Sequence, residues 1–359
     1  MSLLLQAIRQ NRALWLLTVV PLPLIINAVA PESSMMIFML SVLGMLPLAS
    51  LLGLATEQVA ARTGDTVGGL LNATLGNLTE LIIALAALRA GDYLLVKASL
   101  AGAIVANILF MSGMSFLLGG MKHRVQEFNS ASTKLQVTLL FLASFGLLVP
   151  STLAAADQQV LPQSLSVAIS IILLAGYCLS LVFTLGTHRA YFAAAKHDGE
   201  GEAWPLAMAV IVLLVATLGM ALMSEVFVGS LTGASAAMGL TPAFIGFVVV
   251  AIVGAAGGMI AAFGAARQDR LDLSLSISFG SAVQIALFVV PVLVLLSYVI
   301  GPSPMSLQFW PGAVAMIFIS TLAASLIAAN GHSAWFLGVL LLMLYGVFGV
   351  TLFVMPPVH

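Results

Sequence analysis

Apolar residues in this chain come in long, nearly unbroken runs, not in the alternating or striped patterns of elements that meet water on one face. A bilayer core about 30 Å thick needs about 20 such residues per helix. Eleven segments reach that length: 13–30, 34–57, 66–89, 93–120, 131–152, 162–187, 204–231, 241–266, 272–300, 308–329 and 333–355. Strict alternation over about ten residues, the mark of a membrane barrel, is absent. The expected fold class is therefore an all-α membrane protein of eleven transmembrane helices, with short connections and one polar linker, 188–203. The first run ends Ala28-Val29-Ala30, as a cleavable signal peptide would, but Pro31 directly after the supposed cut argues against cleavage.

Composition narrows the class further. Of 359 residues, 61% are apolar and 7% charged, against roughly 25% charged in soluble domains, and the mean hydropathy is +1.16. Such a chain cannot cover a surface with polar groups, which excludes a soluble enzyme and a nucleic-acid binder. The net charge of -1 says little, whereas the placement of the basic residues says more. With eleven spans, Arg9, Arg12, Arg62, Lys122, Arg124, Lys134, Arg189, Lys196, Arg267 and Arg270 fall on one side, and only Arg89 and Lys97 on the other. Basic loops stay cytoplasmic, so the N-terminus is expected inside and the C-terminus outside; the expected location is a prokaryotic plasma (inner) membrane. Trp15, Trp204, Trp310 and Trp335 fall at or near span ends, as an interfacial belt requires.

The chain also repeats itself. A shift of 178 residues lays 76–103 on 254–281, matching Gly76 to Gly254, Arg89 to Arg267 and Gly102 to Gly280; upstream, with about ten residues of loop difference, Thr56-Glu57 falls on Ser224-Glu225. The expected organisation is an N-terminal segment with the first span (1–33), a five-helix repeat (34–187), the linker (188–203) and a second five-helix repeat (204–359). An odd number of helices per unit makes the second copy enter the membrane from the opposite side, the inverted repeat of secondary transporters, whose sites lie near the midplane between copies. Glycines on spans 4 and 8, such as Gly102, Gly113, Gly246 and Gly264, are read first as close helix contacts.

Three carboxylates, Glu57, Glu80 and Glu225, fall within the spans, where an ionisable group costs at least about 2.5 kcal/mol and points to function. Glu80 lies deepest. Asn77 is one turn before it on the same face, preceded by Gly76, at which the helix can open and present carbonyls; a carboxylate, an amide oxygen and such carbonyls make an oxygen site for a hard cation. The alternative is a protonated carboxyl bonded to a neighbouring helix. Glu57 and Glu225 lie nearer span ends, where a glutamate needs no function, yet they occupy equivalent places in the two repeats. Asn107 and Gln284 lie near the matched middles of spans 4 and 9, where each can serve an ion or bond across helices. All five histidines fall in loops or at the terminus, and Cys178 is alone, so neither a zinc site nor a disulfide is expected, nor any cofactor. No P-loop pattern occurs.

The stretch GGLLNATLGNLTE at 68–80, continuing LIIALAALRAGDYLLVKASLAGAIVANIL, closely resembles the first conserved repeat of the calcium/proton exchanger family of the calcium/cation antiporters. SEVFVGSL at 224–231 and GSAVQIALFVVPVLVLLS at 280–297 resemble parts of the second repeat. The resemblance implies eleven helices, exchange of Ca2+ for protons without enzymatic chemistry, Asn77 and Glu80 as metal ligands, and Glu57 and Glu225 as membrane-embedded acids of spans 2 and 7. The sequence departs from the family where Gly-Asn-Ala-Ala-Glu-His is expected in span 8: it reads Gly254-Ala255-Ala256-Gly257-Gly258-Met259. Two other readings therefore stand beside Ca2+/H+ antiport: a monovalent cation or proton transporter on the same fold, and a non-transporting regulatory membrane protein. The expected partners are an inorganic cation, protons and the lipid bilayer, with no nucleic acid.

Overall fold

A computed structural model describes residues 12–157, 162–187 and 204–357. The linker 188–203, with Arg189, Lys196, His188 and His197, lies outside the described residues, as do Arg9 and His359. Among the described residues, nine helices are long and apolar enough to cross a membrane, or ten if a bent pair counts as one. The nine are Ser34–Arg62, Val67–Arg89, Tyr93–His123, Ser130–Leu153, Gln163–Thr187, Leu206–Met238, Leu271–Ile300, Pro311–Asn330 and Trp335–Val354; the bent pair is Pro242–Gly254 with Ala256–Arg267. A shorter apolar helix covers Leu14–Val29. It is interrupted because Pro21 and Pro23 cannot donate into a preceding turn, so a 3-10 stretch, Arg12–Val19, gives way to an α-helix at Pro21.

Each of these helices falls on a segment expected from the sequence; the span expected at 241–266 is bent, and the other long helices differ mainly at their ends. The second runs on through Arg62, so Glu57 sits inside the helix instead of closing it. Its end is fastened: the Arg62 Nε donates to the Trp204 carbonyl at 2.9 Å, and the Trp204 N–H donates to Gln58 Oε1 at 2.8 Å. Trp204 is consequently buried against Val59 and Ala209, unlike the exposed Trp15 and Trp335, and does not serve as an interfacial anchor.

The expectation of an all-α fold needs one addition. Strand β1 (Val125–Glu127) pairs antiparallel with β2 (His332–Ala334), closing one end of the bundle. Around this ribbon, Lys122 Nζ and a ring nitrogen of His123 reach the Arg267 carbonyl, and Gln126 Nε2 donates to Ala266 O and Asp269 Oδ1. The opposite end is closed by Gly301–Trp310, which has no regular structure although residues from 308 on were expected to be helical. Met305, Leu307 and Phe309 point inward and are buried, and their backbone N–H groups donate to the hydroxyls of Ser297, Ser166 and Ser151. Lys97 Nζ donates to Ser306 Oγ and to the Gln308 carbonyl. A buried segment without a ladder must find such partners, and side chains supply them here.

Between these two ends lies the core. Tyr93–Val105 and Leu271–Gln284 are buried along most of their length and continue into π-helical turns, Ala106–Met111 and Ile285–Val289. Gly246 lets helices close in: a Cβ there would lie 2.9 Å from Ala98 Cβ. Gly264, by contrast, has open space around it and serves no such contact.

Candidate functional site

Two helices break at the centre of the bundle, at places related by the 178-residue shift. The first stops at Leu75 and restarts at Leu78, with Asn77 at φ -114, ψ 35 between them. The second stops at Gly254 and restarts at Ala256 around Ala255, with a bend of 58°. Gly76 is needed at the first break because a Cβ would approach the Asn72 carbonyl oxygen to 2.6 Å, with Gln284 Oε1 at 3.1 Å beyond it. Gly257 is needed after the second, since a Cβ would lie 2.9 Å from the Ala49 carbonyl on the Ser34–Arg62 helix.

The breaks enclose a cavity of about 30 Å3, lined by Asn77, Glu80, Asn107, Gly254 and Gly258 among others. A volume of roughly 10–15 Å3 on this measure admits one water, so the cavity has the room of about two or three waters, enough for a small ion. Glu80, the first acid of the restarted helix, is 8% exposed, Asn77 3% and Asn107 0%. The Asn77 amide nitrogen donates to the Ser281 carbonyl at 3.4 Å, which leaves its oxygen as the atom able to meet a cation. Neither amide atom of Asn107 has a hydrogen-bond partner, and Gln284 Nε2 also lacks one. Buried amides without partners are rare because each forfeits its hydration; a site that receives an ion or water accounts for them. Glu80 is the sole ionisable residue among the described residues lining the cavity.

The structure thus brings together Gly76, Asn77, Glu80 and Asn107 and sets Gln284 against Gly76. It does not bring Glu57 or Glu225 into the lining. Glu57 is half-buried on its helix. Glu225 forms an ion pair with Arg89 at 3.2 Å, both side chains being more than half exposed. Sequence reasoning missed the wall opposite Glu80, where Ala49, Leu52 and Gly53 pass Gly254 and Gly257. The closely spaced small residues 49, 50, 53 and 55 were its only signal.

The model of the family described as sodium/calcium exchanger protein matches the chain twice, over residues 33–186 and 208–354. The chain belongs to that family. This member is 38% identical over 340 residues to a Ca2+/H+ antiporter of Synechocystis, covering 89% of this chain and 91% of the relative. To the Ca2+/H+ antiporter ChaA of Bacillus subtilis it is 36% identical over 352 residues, covering 96% and 100%. The solved structure of native YfkE superposes with a TM-score of 0.83 at 32% identity, covering 96% of this chain and all of that one. The resemblance to calcium/proton exchangers read from residues 68–80 onward is upheld.

Proposed function

We propose that this exchanger moves an inorganic cation across a membrane against protons by alternating access, with Ca2+, the ion in its relatives' names, as the first cargo to test. The observation that carries the reading is Glu80, a carboxylate buried beside two amides in an ion-sized cavity where two helices break. Asn77 and Glu80 act as the ion's ligands, with Asn107 and a carbonyl near Gly76 completing the oxygens and Gln284 holding the break. Glu80 holds either the ion or a proton, because a bare carboxylate in an otherwise apolar surrounding is disfavoured. Glu57 and Glu225 lie on the Ser34–Arg62 and Leu206–Met238 helices, which pack against each other, and serve the proton path outside the cavity.

The reading includes eleven spans, counting Leu14–Val29 and the bent pair as one each, with two inverted five-helix units at 34–187 and 204–359, a leading segment 1–33 and a linker 188–203. The N-terminus faces the cytoplasm of a prokaryotic cell. The double match of one family model and the paired helix breaks support this arrangement. The test is cation-dependent proton flux in vesicles containing the purified protein, with Ca2+, Mn2+, Na+ and K+ offered separately. Flux with at least one cation, lost in Glu80→Gln at normal folding, is expected. Absence of flux with all four, or full flux in the variant, refutes the reading.

A further inference from the structure

The cavity is lopsided. Its first break supplies an amide and a carboxylate, Asn77 and Glu80, and the 178-residue shift lays these on Ala255 and Gly258, which supply no side-chain oxygen. The second break keeps the shape of a half-site and has lost its charge. Among the described residues no neighbouring acid replaces it: Glu225 faces Arg89, and neither it nor Glu57 lines the cavity. Lys97, on the adjoining helix, is turned to Ser306 and Gln308 and also lies outside the lining. Glu80 is therefore surrounded by neutral groups, chief among them the unpartnered amide of Asn107.

Charge then decides which ion suits the site. Calcium takes six to eight oxygens and gains affinity with the number of charged ligands. One carboxylate leaves a dication with a positive charge uncompensated among apolar helices, which is strongly unfavourable. A singly charged ion is neutralised by Glu80 alone, and amide oxygens suffice for the remainder of its shell. We infer that this site binds a singly charged metal cation, Na+ or K+, more tightly than Ca2+ or within about tenfold of it. The inference rests on the antiport reading above and names the class of cargo for the same cavity.

The experiment titrates the purified full-length protein with Na+, K+ and Ca2+ at ionic strength held constant with choline chloride, reading the thermal melt. Half-saturation by Na+ or K+ is expected within about tenfold of the Ca2+ concentration or below it. A second arm uses Gly258→Glu, where a Cβ would meet only Met111 Cε at 3.5 Å and Ile277 Cγ2 at 3.6 Å, so the new side chain has a place to start. A second carboxylate should move the preference toward Ca2+ by about tenfold or more. A wild-type preference for Ca2+ beyond about tenfold overturns the inference, and so does a folded Gly258→Glu with an unchanged ratio. If that variant does not fold, the wild-type ratio decides alone. Binding is read here without transport, so a protein that prefers Ca2+ yet exchanges it for protons sinks only this inference. One that binds Na+ or K+ but moves no protons in vesicles sinks the antiport reading.

Discussion

Gly254 offers the sharpest test of how Glu80 is held. A methyl group built on it would stand 2.9 Å from Glu80 Cγ, 3.3 Å from Cδ and 3.5 Å from Oε1. The first of these is closer than carbon atoms approach, and it falls near the root of the Glu80 side chain, so the carboxylate must swing or the helices must part. Overpacking of this kind costs about 1–3 kcal/mol. If the carboxylate yields, the cost is seen as roughly 5- to 150-fold weaker cation binding; if the helices yield, it is seen as lost stability of the same size. Gly258→Ala is the matched control, because its methyl would make only ordinary contacts at 3.5 and 3.6 Å. Alanine favours a helix over glycine by up to about 1 kcal/mol in both variants, so the difference between them isolates the contact with Glu80. Half-saturating cation concentration for proton flux and melting temperature would be measured for both. If the two variants match the parent and each other in both measurements, Glu80 does not rest against Gly254 and the account of the cavity fails.

Asn107→Leu removes two buried amide atoms that have no partner. It should raise stability by about 1–3 kcal/mol while abolishing or strongly weakening exchange, and unimpaired exchange would remove Asn107 from the site. Arg89→Gln breaks an ion pair whose side chains are 66% and 55% exposed; pairs so placed contribute about 0–1 kcal/mol, so the melting temperature should barely change, and a large drop in it would show that the pair holds its two helices together. With Cys178 replaced by serine, single cysteines at Lys122 and Arg270 should react from one side of the membrane and one at Ser303 only from the other. Labelling of all three from one side would sink the proposed spans.

Much of this protein is legible in its sequence because a lipid-spanning helix must satisfy its backbone internally, and so announces itself by local composition. Glu80 stood out for the same reason: a carboxylate more than a dozen residues into an apolar run is conspicuous on its own, and it proved to be buried in the cavity. Asn77 and Gly76 followed from spacing alone. What stayed hidden depends on partners far along the chain. Nothing near Ser151 or Ser166 indicates that they receive the N–H groups of Phe309 and Leu307. Three-residue strands such as Val125–Glu127 are too short for alternation to register. The exposed pairing of Glu225 with Arg89 was invisible as well, since the two lie 136 residues apart and opposite charge is their only cue.

The two closures have a further meaning during synthesis. Ribbon β1–β2 joins Val125 to Ala334, and the serine-held segment joins Tyr93 and Lys97 to Ser303, Ser306 and Gln308. Each therefore waits for about 200 further residues, roughly 10–40 s of translation at 5–20 residues per second. Throughout that interval the newly inserted first half stands in the membrane with both ends unfastened, and until residues 254–257 are made Glu80 lacks the wall that Gly254 and Gly257 later provide. A nascent chain interrupted before Gly254 thus carries an unsheltered intramembrane acid. Truncated products should accordingly be handled by membrane quality control as unfinished, and the last two helices act as the step that turns an inserted chain into a sealed carrier.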